Sequence, residues 1–347
     1  MKKLKVYGHP WHTAHQVALS QLPFIGEYAL QIEPFKKGLA ASQRTISDKF
    51  KYVDHYEKGR YDFAILHVDQ QCIYSPEDDD RIAKGRIYHE LNEVITDIPK
   101  IVINHMTPFH DKYDSAYVVR YFKKIIGSNT MIVNSHEARK QWGFGRTITH
   151  GMNADDWLDL PKEPRVIIVL SPAGMEKAYR REFPKAVLRY LEDWEIPFEW
   201  IGVTRKQFDT FDEYKDFLGR SLVFFMPTWN SPMPRVRTEA MMSGCCIVST
   251  PYQDADTFIT SGRLADNGEL VYNDSTNGFL TSLSAIKDPR MMDNPEYTAN
   301  LIRALIRDYP DIAIKIGQKG KQTAMERFNF SRFEEQWRQL LTEMSIL

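Results

Sequence analysis

Short runs of β-branched and aromatic residues alternate along the chain with longer stretches whose apolar positions recur every three or four residues. In the first half the runs are LKVYG (4–8), DFAILHV (62–68), KIVINH (100–105) and MIVNS (131–135). Unbroken apolarity over so few residues predicts strands buried on both faces of a parallel sheet. Between them, Ser115 to Ile126 and Glu137 to Trp142 carry helical spacing, so the pattern reads as an open α/β sheet. Phe35 to Tyr56 is polar and irregular and is expected to be a surface excursion near the sheet edge.

The pattern restarts after Pro161-Lys162-Glu163-Pro164 with RVIIVLS (165–171), FEWIG (198–202), SLVFFMP (221–227), CCIVST (245–250) and ELVY (269–272). Two prolines around charged residues predict a linker, which divides the chain into a first domain over 1–160 and a second over 161–327. From Pro295 onward only helical patterns occur. Phe330, Phe333, Trp337, Leu340 and Leu341 share one helical face, so residues 328–347 are expected to form a terminal helix that buries that face. The fold class that follows is α/β, with two doubly wound, Rossmann-like sheets.

A chain of 347 residues, 43% of them hydrophobic and 26% charged, is long enough for two cores. Its 45 Lys and Arg against 46 Asp and Glu leave a formal charge of -1, which argues against a nucleic-acid surface built on bulk charge. Cys72, Cys245 and Cys246 cannot make a disulfide framework, and a reducing compartment fits them. No apolar run reaches the roughly 18–20 residues of a membrane span. The opening MKKLKVYGHPWHTAHQ lacks the apolar core of a signal peptide. A cytoplasmic location is the expectation.

Ligands of doubly wound sheets sit beyond the carboxyl ends of the strands, so the residues that follow each strand are the candidates for chemistry. After the first come Gly8, His9, His12 and His15. Gly8 would let backbone approach a ligand, and Thr13 would cap the next helix. A metal site needs further ligands and supporting hydrogen bonds that this segment does not show, so no metal is expected. The imidazoles are read instead as acceptor-side hydrogen-bonding groups. Asp69 and Gln70 follow the next strand; they suit hydroxyl recognition, with Asp69 as a base, or else they satisfy loop backbone. His105 is placed either to pack in the core or to touch a ligand.

In the second half, Ser171-Pro172-Ala173-Gly174 precedes a helix bearing Lys177, Arg180 and Arg181. A small-residue turn at a helix N-terminus is a plausible diphosphate cradle, although it is not a P-loop. Residues 221–262 say more: a buried strand, a proline-rich turn presenting Arg235 and Arg237, and a helix carrying Glu239 that ends at Gly244. Carboxylate and guanidinium at one helix head would bind sugar hydroxyls and phosphate oxygens respectively. Two positions apart, Arg235 and Arg237 should point in different directions.

This last segment resembles the retaining GT-B glycosyltransferases, the group related to glycogen synthase and bacterial mannosyltransferases. That family has a strand, a turn, and Glu-Gly-Phe-Gly with a second Glu eight positions after the first, then Ala-Met-Ala-x-Gly-x-Pro-Val-Val. Glu239 and the following Ala240-Met241-Met242-Ser243-Gly244-Cys245-Cys246-Ile247-Val248 match in register. The resemblance implies that Glu239 holds the ribose hydroxyls of a nucleotide sugar. The family's first Glu falls on Ser231 and its glycines on Pro232 and Pro234, which cannot donate backbone hydrogen bonds, so Arg235 would compensate at the diphosphate. Met131-Ile132-Val133-Asn134-Ser135 resembles the last strand of the family's first domain, and His150-Gly151-Met152-Asn153 its Asn-Gly-Val-Asp. His105 falls where the family has a histidine facing the donor sugar. Glu176-Lys177 resembles a Glu-Lys pair whose lysine reaches the diphosphate, with Arg180 or Arg181 in place of the usual arginine.

The expected protein is therefore a hexosyltransferase of the GT-B fold whose final helix crosses back to the first domain. Transfer would be from a nucleotide-sugar donor to an acceptor hydroxyl, with retention and without metal or other cofactor. Its catalytic group is His105, Lys177, Arg181 and Arg235. Gly8, Gly174, Ser231, Arg235 and Glu239 form the donor side, and His9, His12, His15, Asp69 and Gln70 the acceptor side. The partners implied are the nucleotide sugar and an acceptor glycan or small hydroxylated molecule. A DNA acceptor stays open, because enzymes that glucosylate hydroxymethylated DNA bases share the fold. A nucleotide-sugar epimerase is the alternative enzyme, which would require carboxylates placed to move protons at carbon. A non-enzymatic sugar-binding module is the third reading.

Overall fold

The computed structural model describes residues 3–33, 38–41, 44–73, 79–110, 112–169, 182–205, 207–281 and 294–347. They form two compact units, one of Met1–Gly151 with Ser331–Leu347 and one of Met152–Phe330. The division falls at Gly151/Met152, ahead of the Pro161–Pro164 segment. Met152 donates its N–H to Phe328 O at 2.8 Å, and Trp157 is buried in the second unit's core.

The first unit is built on β1 (Leu4–Gly8), β2 (Ile25–Gln31), β3 (Phe50–Val53), β4 (Phe63–Val68), β5 (Lys100–Asn104), β6 (Thr130–Val133) and β7 (Arg146–Thr147). All pair in parallel, in the order β3-β2-β1-β4-β5-β6-β7. The order reverses at β1/β4, so the carboxyl ends of these two strands flank the switch point of the sheet. Among the described helices are α1 (Thr13–Ser20), α2 (Asp79–Val94), α3 (Ser115–Ile126) and α4 (His136–Trp142). Asp114 caps α3 by accepting from Tyr117 N at 2.8 Å, and Ser135 caps α4 by accepting from Ala138 N at 2.9 Å. These two caps fix the helix starts that spacing alone located to within a residue.

Two strands lie where none was expected. β2 spells IGEYALQ, whose Gly and Glu are poor strand formers, and β3 lies inside the stretch expected to be irregular. Sheet context holds both: β2 pairs on one side with β1, buried except at Lys5, and on the other with β3.

The second unit carries β8 (Glu163–Val169), β9 (Phe198–Ile201), β10 (Ser221–Met226), β11 (Cys246–Ser249), β12 (Ser261–Leu264), β13 (Leu270–Val271) and β14 (Gly278–Leu280). Their order is β13-β12-β14-β11-β10-β8-β9, parallel except for the β12/β13 edge. The switch point lies at β8/β10. The described helices are α5 (Glu182–Asp193), α6 (Phe211–Arg220), α7 (Arg235–Met242), α8 (Ala255–Phe258), α9 (Pro295–Arg303), which continues as a π-helical turn over Ala304–Asp308, and α10 (Pro310–Arg327). β12 and β14 give no apolar run in the sequence because each is short and a glycine stands inside β12 (Gly262) and opens β14 (Gly278). A Cβ at Gly262 would stand 2.6 Å from the Phe279 ring, and one at Gly278 would press on Ile259 and Ile247 at 3.1 and 3.3 Å.

The last helix, α11 (Phe330–Glu343), belongs to the first unit from Ser331 on. Its Phe333, Trp337, Leu340 and Leu341 are buried. Trp337 and Leu341 share one apolar interior with Val6, Leu19, Phe24, Tyr28 and Phe63, which places α11 against β1, β4 and α1. Arg338 lies over the Phe24 ring, and Arg146 pairs with Glu343. A Cβ at Gly151 would overlap Phe333, so this helix seats only over a glycine. Among the described residues no helix is long and apolar enough to cross a membrane.

Candidate functional site

Each switch point carries its own constellation. In the first unit β1 runs into His9 and β4 contributes His67 one residue before its end, while β5 is followed by His105. His12 precedes α1 and His15 lies in its first turn. These five imidazoles and His150 converge. His105 lies 4.5 Å from His12, 5.7 Å from His15 and 5.2 Å from His67 by ring centroids, and His15 lies 5.9 Å from His150. Trp11 stacks on His67 and His105 at 6.1 and 6.3 Å. The loop that presents them is pinned by Gln16, whose Oε1 accepts from Trp11 N at 2.7 Å and whose Nε2 donates to His9 O at 2.8 Å. Burial and the surrounding histidines His12, His67, His15 and His150 hold the His105 pKa well below the ordinary histidine value. Among the described residues no three His, Cys, Asp or Glu are arranged to hold a metal ion.

The sequence grouped His9, His12 and His15, and the structure adds His105 to them. It also adds His67, His150 and Trp11, which had no assigned site role. The rule of strand ends could have found His67, since it stands one residue before the end of a strand at the switch point. Asp69 accepts from Gln71 N at 2.8 Å as the cap of the 3-10 turn Gln70–Cys72. That is the loop-backbone role. Thr13 does not cap α1: the helix begins at Thr13, so His12 holds the cap position, and the Thr13 hydroxyl accepts from Ala40 N at 3.1 Å. The space beside Gly8 is filled by Ile65 O, 2.6 Å from where a Cβ would stand, and by Tyr28. Strand packing is what demands glycine there.

In the second unit the residues after β10 make the other constellation. Glu239 lies on α7, buried, and its two oxygens are held separately: Tyr214 Oη donates to Oε2 at 2.8 Å, and Arg235 Nε to Oε1 at 3.2 Å. Ser231 sits in the turn, where its N–H meets Thr228 Oγ1 at 3.4 Å, and Pro232 and Pro234 are buried. Arg237 is not a ligand group. It is fully buried, donates to Tyr252 O at 3.2 Å and Gln253 O at 2.7 Å, and lies over the Phe258 ring at 5.1 Å. It therefore ties the turn after β10 to the turn after β11. Met233, Gln253 and Asp254, all with positive φ, lie in these two turns. Left-handed backbone at non-glycine residues costs of order 1–3 kcal/mol each and persists where surrounding contacts impose it. Tyr214 is the member of this constellation that the sequence did not offer, since it comes from a different helix. Gly174, Lys177 and Arg181, with Arg180, lie outside the described residues.

No protein-family model and no curated protein matches the chain. Solved structures do. Sucrose-phosphate synthase from Thermosynechococcus elongatus superposes with a TM-score of 0.61 at 13% identity, covering 99% of this chain and 99% of that one. Anabaena HepE, in complex with UDP and glucose, superposes at 0.58 and 13% identity over 98% of this chain and 100% of that one.

The fold is GT-B.

Similarity to a third GT-B structure, TarM, has a TM-score of 0.51 at 14% identity; it covers 80% of this chain but only 54% of TarM, so this chain spans about half of that protein. In GT-B terms the two sheets described above are the two Rossmann-like halves, and α11 is the helix by which the chain returns to the first half.

Proposed function

We propose that the protein is a glycosyltransferase that moves a hexose from a nucleoside-diphosphate sugar to an acceptor hydroxyl, with retention of configuration and without a metal. The observation that carries this reading is Glu239: a buried carboxylate at the switch point of the second sheet, oriented by Tyr214 and Arg235, in a chain with the GT-B fold. A carboxylate has about four lone-pair positions, so the bonds to Tyr214 and Arg235 are compatible with acceptance from the two ribose hydroxyls. Negative charge develops on the departing diphosphate as the bond to the anomeric carbon breaks, and fixed cations aimed at it lower the barrier. Arg235 is the described candidate, with Lys177 and Arg181 beside it in the proposal. His105, held neutral among its neighbours, is suited to hydrogen-bond a sugar hydroxyl rather than to carry charge. The acceptor is a glycan or a small hydroxylated molecule bound against His9, His12, His15 and Gln70, and the protein acts in the cytoplasm.

Release of nucleoside diphosphate from a panel of nucleotide sugars, with and without hydroxylated acceptors, tests the reading. Acceptor-dependent release that survives EDTA and yields a product with the donor's anomeric configuration is the expected result. Epimerised donor without acceptor, or dependence on manganese, would contradict it.

A further inference from the structure

The residue that the reading above leaves without work is His67. It is fully buried near the end of β4, and its Nδ1 lies 2.9 Å from Nε2 of His105. The sheet fixes this approach. β4 and β5 pair in parallel, and His105 N continues the ladder by donating to Val68 O at 2.9 Å. The two rings are inclined by 26°, with Trp11 stacked on both.

Among the described residues, the titratable groups facing His105 are His67 from β4, His12 and His15 from the start of α1, and His150 beyond β7. Imidazoles crowded together disfavour one another's charged forms, so His105 is a neutral ring with one N–H and one lone pair. The bond to His67 then decides which nitrogen carries the proton. Free histidine favours the Nε2–H tautomer. Both rings hold that tautomer together only if His105 Nε2–H donates and His67 Nδ1 accepts; the reverse bond forces both into the less favoured Nδ1–H form. Nδ1 of His105 makes no hydrogen bond within the described residues.

We propose that His67 is a positioning residue: its Nδ1 accepts from His105 Nε2–H, which fixes the plane and tautomer of His105 and leaves Nδ1 of His105 to accept a hydrogen bond from a hydroxyl of the bound sugar. The sugar in this statement rests on the transferase reading. The tautomer does not, and can be measured without substrate.

The experiment is two-bond proton–nitrogen NMR of the full-length, nitrogen-15-labelled protein, with His105 assigned by loss of its signals in His105→Gln. Wild-type protein should show His105 as one tautomer with Nδ1 unprotonated. His67→Asn places an amide oxygen near the lost Nδ1 and should keep that tautomer, whereas His67→Ala should give a mixture and move the His105 titration up toward the ordinary histidine range. In turnover, His67→Ala should lower kcat/KM for the nucleotide sugar about tenfold, the scale of one lost hydrogen bond, and His67→Asn should recover most of it. A protonated Nδ1 in wild-type protein, or the same His105 tautomer in wild-type and His67→Ala, overturns the assignment. If the tautomer behaves as expected and no nucleotide sugar is turned over, the assignment of His67 stands and the transferase reading falls.

Discussion

Arg235 and Glu239 stand one helical turn apart at the head of α7, and they pair with each other at 3.2 Å instead of reaching separately outward. In the proposed transferase the pair would link the two halves of the donor site, a carboxylate suited to ribose and a guanidinium suited to phosphate. Loss of either therefore disturbs the other, and single substitutions here are expected to be non-additive.

Glu239→Gln should weaken nucleotide binding by about 1–3 kcal/mol, the range for a lost charged hydrogen bond. Arg235→Ala should lower turnover by roughly 100-fold, the scale of losing one electrostatic donor to developing charge, and should also weaken nucleotide affinity because Glu239 loses its partner. Calorimetric titration of UDP and other nucleoside diphosphates separates the two. Unchanged affinity in Glu239→Gln would refute the placement.

Arg237→Ala should act on the fold. A fully buried guanidinium that serves the Tyr252 and Gln253 carbonyls leaves a cavity and two poorly satisfied acceptors when truncated, a cost of about 3 kcal/mol. Urea unfolding should show a lower midpoint with nucleotide affinity per folded molecule changed much less. A stable protein that has lost nucleotide binding would point to a direct ligand role instead.

The depressed pKa of His105 links stability to pH. Unfolded histidine titrates near 6.5, above the folded value, so between the two the unfolded chain binds more protons. Stability should thus be fully present above about pH 6.5, fall as pH drops below it, and level off once His105 is protonated in the fold. Urea midpoints measured from pH 8 to pH 5 should show this slope, and His105→Gln should reduce it. An identical slope in that variant would remove His105 as its source.

Thiol chemistry should be silent in the folded protein. Cys72, Cys245 and Cys246 are buried, and burial pushes the Cys245 thiol up to about 11 and Cys246 higher still. Since the thiolate is the reactive form, Ellman's reagent at pH 8 should label none of the three until denaturant is added. Rapid labelling of native protein would show that the region holding the labelled thiol opens, the turn after β4 for Cys72 or the start of β11 for Cys245 and Cys246.

Most of the fold was readable because its central strands are short runs buried on both faces, as in FAILHV and SLVFFM, whose length and β-branched and aromatic content favour strand over buried helix. The strands that escaped, β2, β3, β12 and β14, are polar, short or glycine-broken, and they exist because a neighbour supplies the hydrogen bonds. The site was readable wherever one segment carried it. Glu239 and the first three histidines lie in single motifs, while Tyr214, His67 and His150 reach their partners from other elements. Arg237 shows the opposite failure: an arginine beside Arg235 looks like a second ligand group until its burial is seen.

The way the chain closes its first unit bears on how it is made. Met152–Phe330 is one contiguous stretch, whereas the first unit needs both Met1–Gly151 and Ser331–Leu347. A ribosome therefore delivers the second unit whole while the apolar side of β1 and β4, with Val6, Leu19 and Phe63, still lacks Trp337 and Leu341. At roughly 5–20 residues per second, that surface waits on the order of ten seconds for its cover. A nascent-chain chaperone has that interval in which to bind it, and a stop codon placed just before α11 would leave a finished second half tethered to an open, adhesive first one.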